Sequence, residues 1–317
     1  MAFHALVEPH AQGMLDVGQG HAIFWSISGN PDGVPALILH GGPGSGVAAS
    51  TGRFFDPTRY RIIAFDQRGC GRSTPHAGAA GADLSANTTG HLLADIEALR
   101  LHLGVERWVL YGMSWGTTLG FAYAQRHPER VRAMVLAGIT TTRQSEIGWL
   151  YRGLAPLFPA QWEAFRAGAP AGTSDSGLIA AYGDLLLSPD GAIHNKAALD
   201  FHLWEAATIS SDPNAGWPER WNDPAYILAR ARIVTHYFRH AAWLEEGALI
   251  SGASALADIP GVMVQGRLDL QAPLTTAWDM SRAWPAARLV IIEGAGHSSG
   301  DAGMGEAIVS ALDGFAG

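Results

Sequence analysis

Trp108-Val109-Leu110-Tyr111-Gly112-Met113-Ser114-Trp115-Gly116 is an apolar run that ends in the pattern Gly-x-Ser-x-Gly. A strand before this pattern and a helix after it place the serine on a sharp turn, with its hydroxyl projecting from the end of a sheet. A hydroxyl is a weak nucleophile until the fold aims it and a base deprotonates it. The glycines two before and two after Ser114 remove side chains that would collide at such a turn. The rest of the chain must then supply a histidine, an acid and oxyanion donors.

The flanking sequence reads as alternating strands and helices. Residues 21–27, 36–40 and 61–65 are continuous apolar runs, and 29–33 is a turn cluster of Gly, Asn, Pro and Asp. Such runs suit strands buried on both faces of a parallel sheet. Leu92, Ile96, Leu99 and Leu103 recur at helical spacing, with Asn87 or Thr88 as N-cap and Gly104 as C-cap. A helix is predicted from about residue 117 to residue 127, stopped at Pro128, and a strand over 131–136. Helical segments, prolines and tryptophans then fill 140–256 without a convincing strand. Strands resume at 261–265 and 288–292, and a last helix is predicted over 305–315. The pattern predicts an α/β fold: a mostly parallel central sheet flanked by helices, with an inserted helical cap. The expected division is a catalytic core of residues 1–139 and 257–317 and a cap of residues 140–256. An insertion after a sheet strand sits over the ligand crevice and acts as a lid.

Composition narrows the function. The 317 residues are 48% hydrophobic, enough for a large core, and carry a formal net charge of −8, which argues against nucleic acid. The one cysteine, Cys70, excludes an internal disulfide or a cysteine metal cluster and points to a reducing, cytoplasmic setting. No signal peptide or membrane-spanning run is evident. The 11 tryptophans suit core packing, with some available to line a cavity. The composition leaves the oligomeric state open.

The chemistry lies in three residues. Triads on elbows of this kind run nucleophile, acid, histidine along the chain. Asp269 follows the strand predicted at 261–265, and His297 follows the strand predicted at 288–292. All three therefore sit beyond the C-terminal ends of strands, where loops of one sheet are neighbours. Ser114 would attack a carbonyl, His297 would take and return its proton, and Asp269 would orient the imidazole. Asp258 and Asp279 are weaker acids for this role, because the first precedes its strand and the second lies within a helix. Oxyanion donors are expected from the Gly42 and Trp115 N–H groups, since His40-Gly41-Gly42-Pro43-Gly44 follows a strand expected beside the elbow strand. Asp66, Arg68 and Arg72 are expected to brace that loop. This chemistry needs no metal and no cofactor.

Together these residues resemble the proline iminopeptidases, serine peptidases of the α/β-hydrolase fold. HGGPG at 40–44, FFDPTRYRIIAFDQRGCGRSTPH at 54–76 and NTTGHLLADIEALRLHLG at 87–104 all look like that family. So do YAQRHPERV at 123–131, ADIPGVMVQGRLD at 257–269 and GAGHS at 294–298. The resemblance implies Ser114, Asp269 and His297 as the triad and removal of an N-terminal proline or small residue. It also implies that Glu205, beside Trp204, pairs with the substrate ammonium, and that Tyr151 and Phe238 hold aromatic pocket positions. Two positions depart from the family pattern. Val234 stands where a second amine-binding glutamate is expected, and Thr140 where a phenylalanine lines the proline pocket.

Those departures motivate a second reading, an esterase or acylamidase for neutral acyl groups. A third reading, a non-catalytic ligand-binding scaffold, is disfavoured by the complete triad. In each enzymatic reading the partner is a small peptide, amide or ester, with no nucleic acid and no membrane. Carboxylates other than Glu205 that could face Ser114 include Glu245 and Glu246, which the sequence alone does not place.

Overall fold

The computed structural model describes residues 3–209 and 217–317. Among the described residues, eight strands form one sheet in the order β1-β2-β4-β3-β5-β6-β7-β8. They are β1 Ala11–Asp16, β2 Ala22–Gly29, β3 Val34–Leu39, β4 Tyr60–Phe65, β5 Trp108–Met113, β6 Val131–Ala137, β7 Gly261–Gly266 and β8 Ala287–Ile292. Strand β2 runs antiparallel to β1 and β4, and every pairing from β4 to β8 is parallel.

The apolar runs are continuous because both faces are covered. Leu37, Leu110, Leu136 and Met263 face one hydrophobic cluster, which contains Leu92 of α1 (Thr89–His102) and Leu119 of α2 (Trp115–Arg126). Their neighbours Ala36, Val109, Val135 and Val262 face the other cluster, with Ile308 and Leu312 from a C-terminal helix. The N-cap of α1 is Thr88, whose side chain accepts from the His91 N–H at 3.4 Å. Strand β1 was not legible in the sequence: it is a half-exposed edge strand, and Gln12 and Gly13 break its apolar alternation.

Between β6 and β7 only helical elements occur among the described residues. The α-helices among them are α3 Gln144–Gly148, α4 Pro159–Gly168, α5 Leu178–Leu186, α6 Gly191–Ile209, α7 Pro224–Arg239 and α8 Ala248–Ser251. Beyond β7 lie α9 Leu274–Ala283 and α10 Met304–Phe315. The inserted helices have their own core, in which the Phe165 ring stacks on Tyr182 at 4.5 Å and on Trp204 at 5.7 Å. The expected cap boundary at residue 256 extends past that core. Ala242, Leu249, Ala253 and Leu256 pack into the sheet cluster, and Gln125 of α2 donates to the Leu249 carbonyl at 2.6 Å. Helix α7 joins both cores: Ala229, Ile233 and Tyr237 face the sheet side, while Ala231 and Val234 face the cap side.

The elbow shows why its glycines are glycines. A Cβ on Gly112 would lie 2.4 Å from the Gly116 carbonyl oxygen, and one on Gly116 would lie 2.1 Å from the Leu39 oxygen. Both distances are well inside van der Waals contact, so β3, β5 and α2 meet this closely only without those side chains.

Candidate active site

Ser114 has φ 56° and ψ −126°, a conformation that costs a non-glycine residue strain. The surroundings hold it there. Its N–H donates to Ala137 of β6 at 3.0 Å, and its carbonyl accepts from the Thr117 N–H at 2.7 Å and the Thr117 hydroxyl at 2.8 Å.

Asp269 and His297 come together as the chain order predicts. His297 Nδ1 lies 2.8 Å from Asp269 Oδ2, and both side chains are buried. The other acceptor sites of the carboxylate are filled. Oδ1 accepts from the Gln271 N–H at 3.0 Å and the Ala272 N–H at 2.8 Å, and Oδ2 accepts from Gln265 Nε2 at 3.1 Å. A carboxylate held this way assigns the proton to Nδ1 and leaves Nε2 free to accept one. Burial pushes the His297 pKa down, but the charge and hydrogen bond of Asp269 outweigh it and raise the value above 6.5. Since the base must be neutral to accept a proton, activity rises with pH through that raised pKa. The acid limb of kcat/KM for an uncharged ester is therefore expected above pH 6.5. A limb at or below the ordinary histidine value would contradict this arrangement.

Gln265, which sequence reasoning passed over, is fully buried at the end of β7. Its Oε1 accepts from the Ile139 N–H at 2.7 Å while Nε2 donates to Asp269 and, at 2.7 Å, to the Ala272 carbonyl. A buried amide ending an apolar strand must find partners, and that was the available signal. Gln67 does similar work beside the nucleophile. It accepts from the Trp115 indole N–H at 3.0 Å and donates to the His40 carbonyl at 3.0 Å, tying the residue after Ser114 to the glycine loop. Asp66 holds the same loop through the Val47 N–H at 2.9 Å, and Arg72 pairs with Asp66 at 3.1 Å. Arg68 does not brace that loop as expected: its guanidinium pairs with Asp95 of α1 at 2.7 Å, because α1 offers a buried carboxylate. His40 accepts from the Gln67 N–H at 3.0 Å, and burial lowers its pKa, so it is a neutral structural residue.

Ser114, His297, Gly42 and Trp115 line one cavity of about 280 Å³, with Thr140, Glu205 and Phe238 in its wall. That volume suits an acyl group of amino-acid size. Neither the Gly42 nor the Trp115 N–H has an acceptor among the described residues. Of the tryptophans, only Trp115 and Trp221 reach the cavity among the described residues. Trp204, Tyr151 and Val234 do not line it. The Trp204 indole donates to the Leu150 carbonyl at 3.2 Å inside the cap core, and Val234 is buried in that core. Tyr151 acts from behind the wall, its hydroxyl donating to Glu205 Oε1 at 2.8 Å.

The second oxygen of Glu205 is engaged by Arg230 Nη1 of α7, a partner that the sequence did not reveal. Glu146 also lines the cavity, but its oxygens accept from Thr140, Thr141, Thr276 and Arg143. Glu246 is held by the Gln144 N–H at 2.7 Å, and neither it nor Glu245 reaches the cavity. Among the described residues no group of three or more His, Cys, Asp or Glu could hold a metal ion, and no helix is long and apolar enough to cross a membrane.

The chain is similar to known proteins. The sequence profile of the alpha/beta hydrolase fold matches residues 35–301. A probable proline iminopeptidase of Streptomyces coelicolor is 46% identical, over 100% of this chain and 98% of its own. The proline iminopeptidase of Arabidopsis thaliana is 43% identical, over 97% of this chain and 80% of its own. Among solved structures, the proline iminopeptidase of Mycobacterium smegmatis superposes with a TM-score of 0.64 at 21% identity, covering 96% of this chain and 99% of that one. VinJ gives a TM-score of 0.64 at 22% identity, covering 97% and 100%. At those identities the two structures speak for the fold alone.

Proposed function

Because the chain belongs to the proline iminopeptidases within the alpha/beta hydrolase fold family, we propose that Ser114, His297 and Asp269 cleave amides through an acyl-enzyme. The chain is a serine hydrolase of the prolyl aminopeptidase type, and its substrate is a small peptide or amide. Ser114 Oγ attacks the carbonyl of an N-terminal prolyl or small residue, and its proton passes to His297 Nε2. The Gly42 and Trp115 N–H groups receive the developing oxyanion, where each such donor is worth ~100-fold or more in turnover. His297 then protonates the departing amine. Water, deprotonated by the same imidazole, releases the acyl group and restores Ser114. Thr140 and Phe238 shape the acyl pocket, and Glu205, oriented by Tyr151, faces the substrate nitrogen. Trp204 and Val234 support the wall from the cap core rather than touching substrate. The buried free thiol of Cys70 supports a cytoplasmic setting.

The observation that carries this reading is the 2.8 Å contact between His297 and Asp269 at the cavity that also exposes the strained Ser114. The test is release of 4-nitroaniline from L-prolyl-4-nitroanilide together with labelling by a fluorophosphonate. Turnover that disappears as the label is incorporated is the expected result. Turnover that persists in fully labelled protein would overturn the assignment.

A further inference from the structure

The end of the cavity that receives the substrate nitrogen is electrically unusual. The Asp, Glu, Lys and Arg residues lining the cavity are Glu146, Glu205, Arg220 and Arg230, two carboxylates against two guanidiniums. The oxygens of Glu146 are engaged by backbone, hydroxyl and Arg143 donors. Those of Glu205 are engaged by Tyr151 and Arg230. An ammonium entering here finds no unoccupied carboxylate among the described residues. It finds instead a buried guanidinium of its own sign.

Arg230 is built into the site. It is 7% exposed, its guanidinium lies 5.3 Å from the centroid of the Trp221 ring, and Nε donates to Ser45 Oγ at 3.4 Å. Nη1 serves Glu205 and lies 3.2 Å from His202 Nε2, while Nη2 has no acceptor among the described residues. Burial works against its charge, but Glu205 outweighs burial and keeps it protonated. His202 is neutral, pushed down to about 4 by burial and by Arg230. Tyr151 is held in its protonated form by burial and by Glu205. Tyr226 and His297 are the other titratable groups acting on the pair. Val234 lies one helical turn beyond Arg230 on α7 and brings no compensating negative charge.

We propose that Arg230 sets the form in which this cavity takes the substrate nitrogen: uncharged, as the free-base secondary amine of a prolyl residue or as an acylated nitrogen. The pair with Glu205 then acts as a neutral donor–acceptor site. Glu205 accepts from an N–H where there is one, and Arg230 donates to a carbonyl oxygen beside the nitrogen. A protonated amine would have to displace the guanidinium or sit against it in a desolvated pocket, which like charges resist. This rests on the acyl-transfer reading above and leaves its chemistry unchanged.

Calorimetric binding of L-prolinamide and N-acetyl-L-prolinamide to the Ser114→Ala protein tests it without turnover. Prolinamide should bind at least about tenfold more tightly at about pH 9.5 than at about pH 7, as its nitrogen loses its proton. N-acetylprolinamide, whose nitrogen does not titrate, controls for the protein's own groups and should change by less than about twofold. Arg230→Met should shift the affinity ratio at about pH 7 toward prolinamide by at least about tenfold. Tighter prolinamide binding at the lower pH, an unchanged ratio in Arg230→Met, or binding of neither ligand would overturn the proposal. If Arg230→Met does not fold, the pH comparison decides alone. Failure of the intact protein to cleave prolyl anilides would overturn the hydrolase reading instead, and these binding results would stand apart from it.

Discussion

Ser114→Ala is expected to lower kcat by on the order of 10⁶-fold while leaving the thermal midpoint close to that of the unaltered chain. The two halves of this expectation come from different features. Turnover falls because no other hydroxyl is placed on the elbow between the glycine loop and His297. Stability is retained because the hydrogen bonds that hold the strained turn are made by backbone N–H and carbonyl groups and by Thr117, not by the Ser114 hydroxyl. Single-turnover kinetics with a p-nitrophenyl ester, together with a melting curve, separate the two. An alanine variant that still shows an acyl burst would place the nucleophile elsewhere.

Asp269→Asn is expected to cost ~10⁴-fold in kcat, because an amide at that position no longer enforces the Nδ1–H tautomer. Asp269 also supplies the charge that lifts the His297 pKa against burial, so its neutral replacement leaves burial in control. The imidazole should then titrate below its ordinary value, and the acid limb of the residual activity should move to lower pH. Imidazole proton resonances followed from pH 4 to about pH 9 read this directly. A limb that stays above 6.5 in the variant would show that another acid, such as the nearby Asp301, holds the histidine.

The chemistry was more legible in the chain than the substrate preference, for a physical reason. The triad sits where buried strands end, and a buried strand announces itself by an unbroken apolar run. The runs read at 108–111, 261–265 and 288–292 end shortly before Ser114, Asp269 and His297, so these residues could be singled out with no knowledge of long-range contacts. Strand β1 escaped because an edge strand facing solvent carries no such run. Residues 241–256 look like more of the inserted helices, yet their apolar side chains complete the cluster over α2. Arg230 escaped for another reason. An arginine within a helix reads as a solvated side chain, and only the fold brings the Glu205 carboxylate, 25 positions earlier in the chain, against it. Gln265 and Gln67 are the same case in neutral form: polar groups whose meaning is their partner.

Helix α7 bears on how this protein could acquire new substrates. It is wedged between two hydrophobic cores, so its backbone is fixed from both sides, yet Arg230 and Phe238 project from it into the cavity. Ser114, Asp269 and His297 follow the ends of sheet strands and take no support from α7 in their hydrogen bonds. Selection can therefore exchange side chains along one rigid rail, altering which molecules are admitted, without renegotiating the machinery that cuts them. The same anchoring sets the limit of that freedom: a change that shifts the rail itself disturbs both cores at once and is removed as a folding defect before its effect on choice of substrate can be expressed.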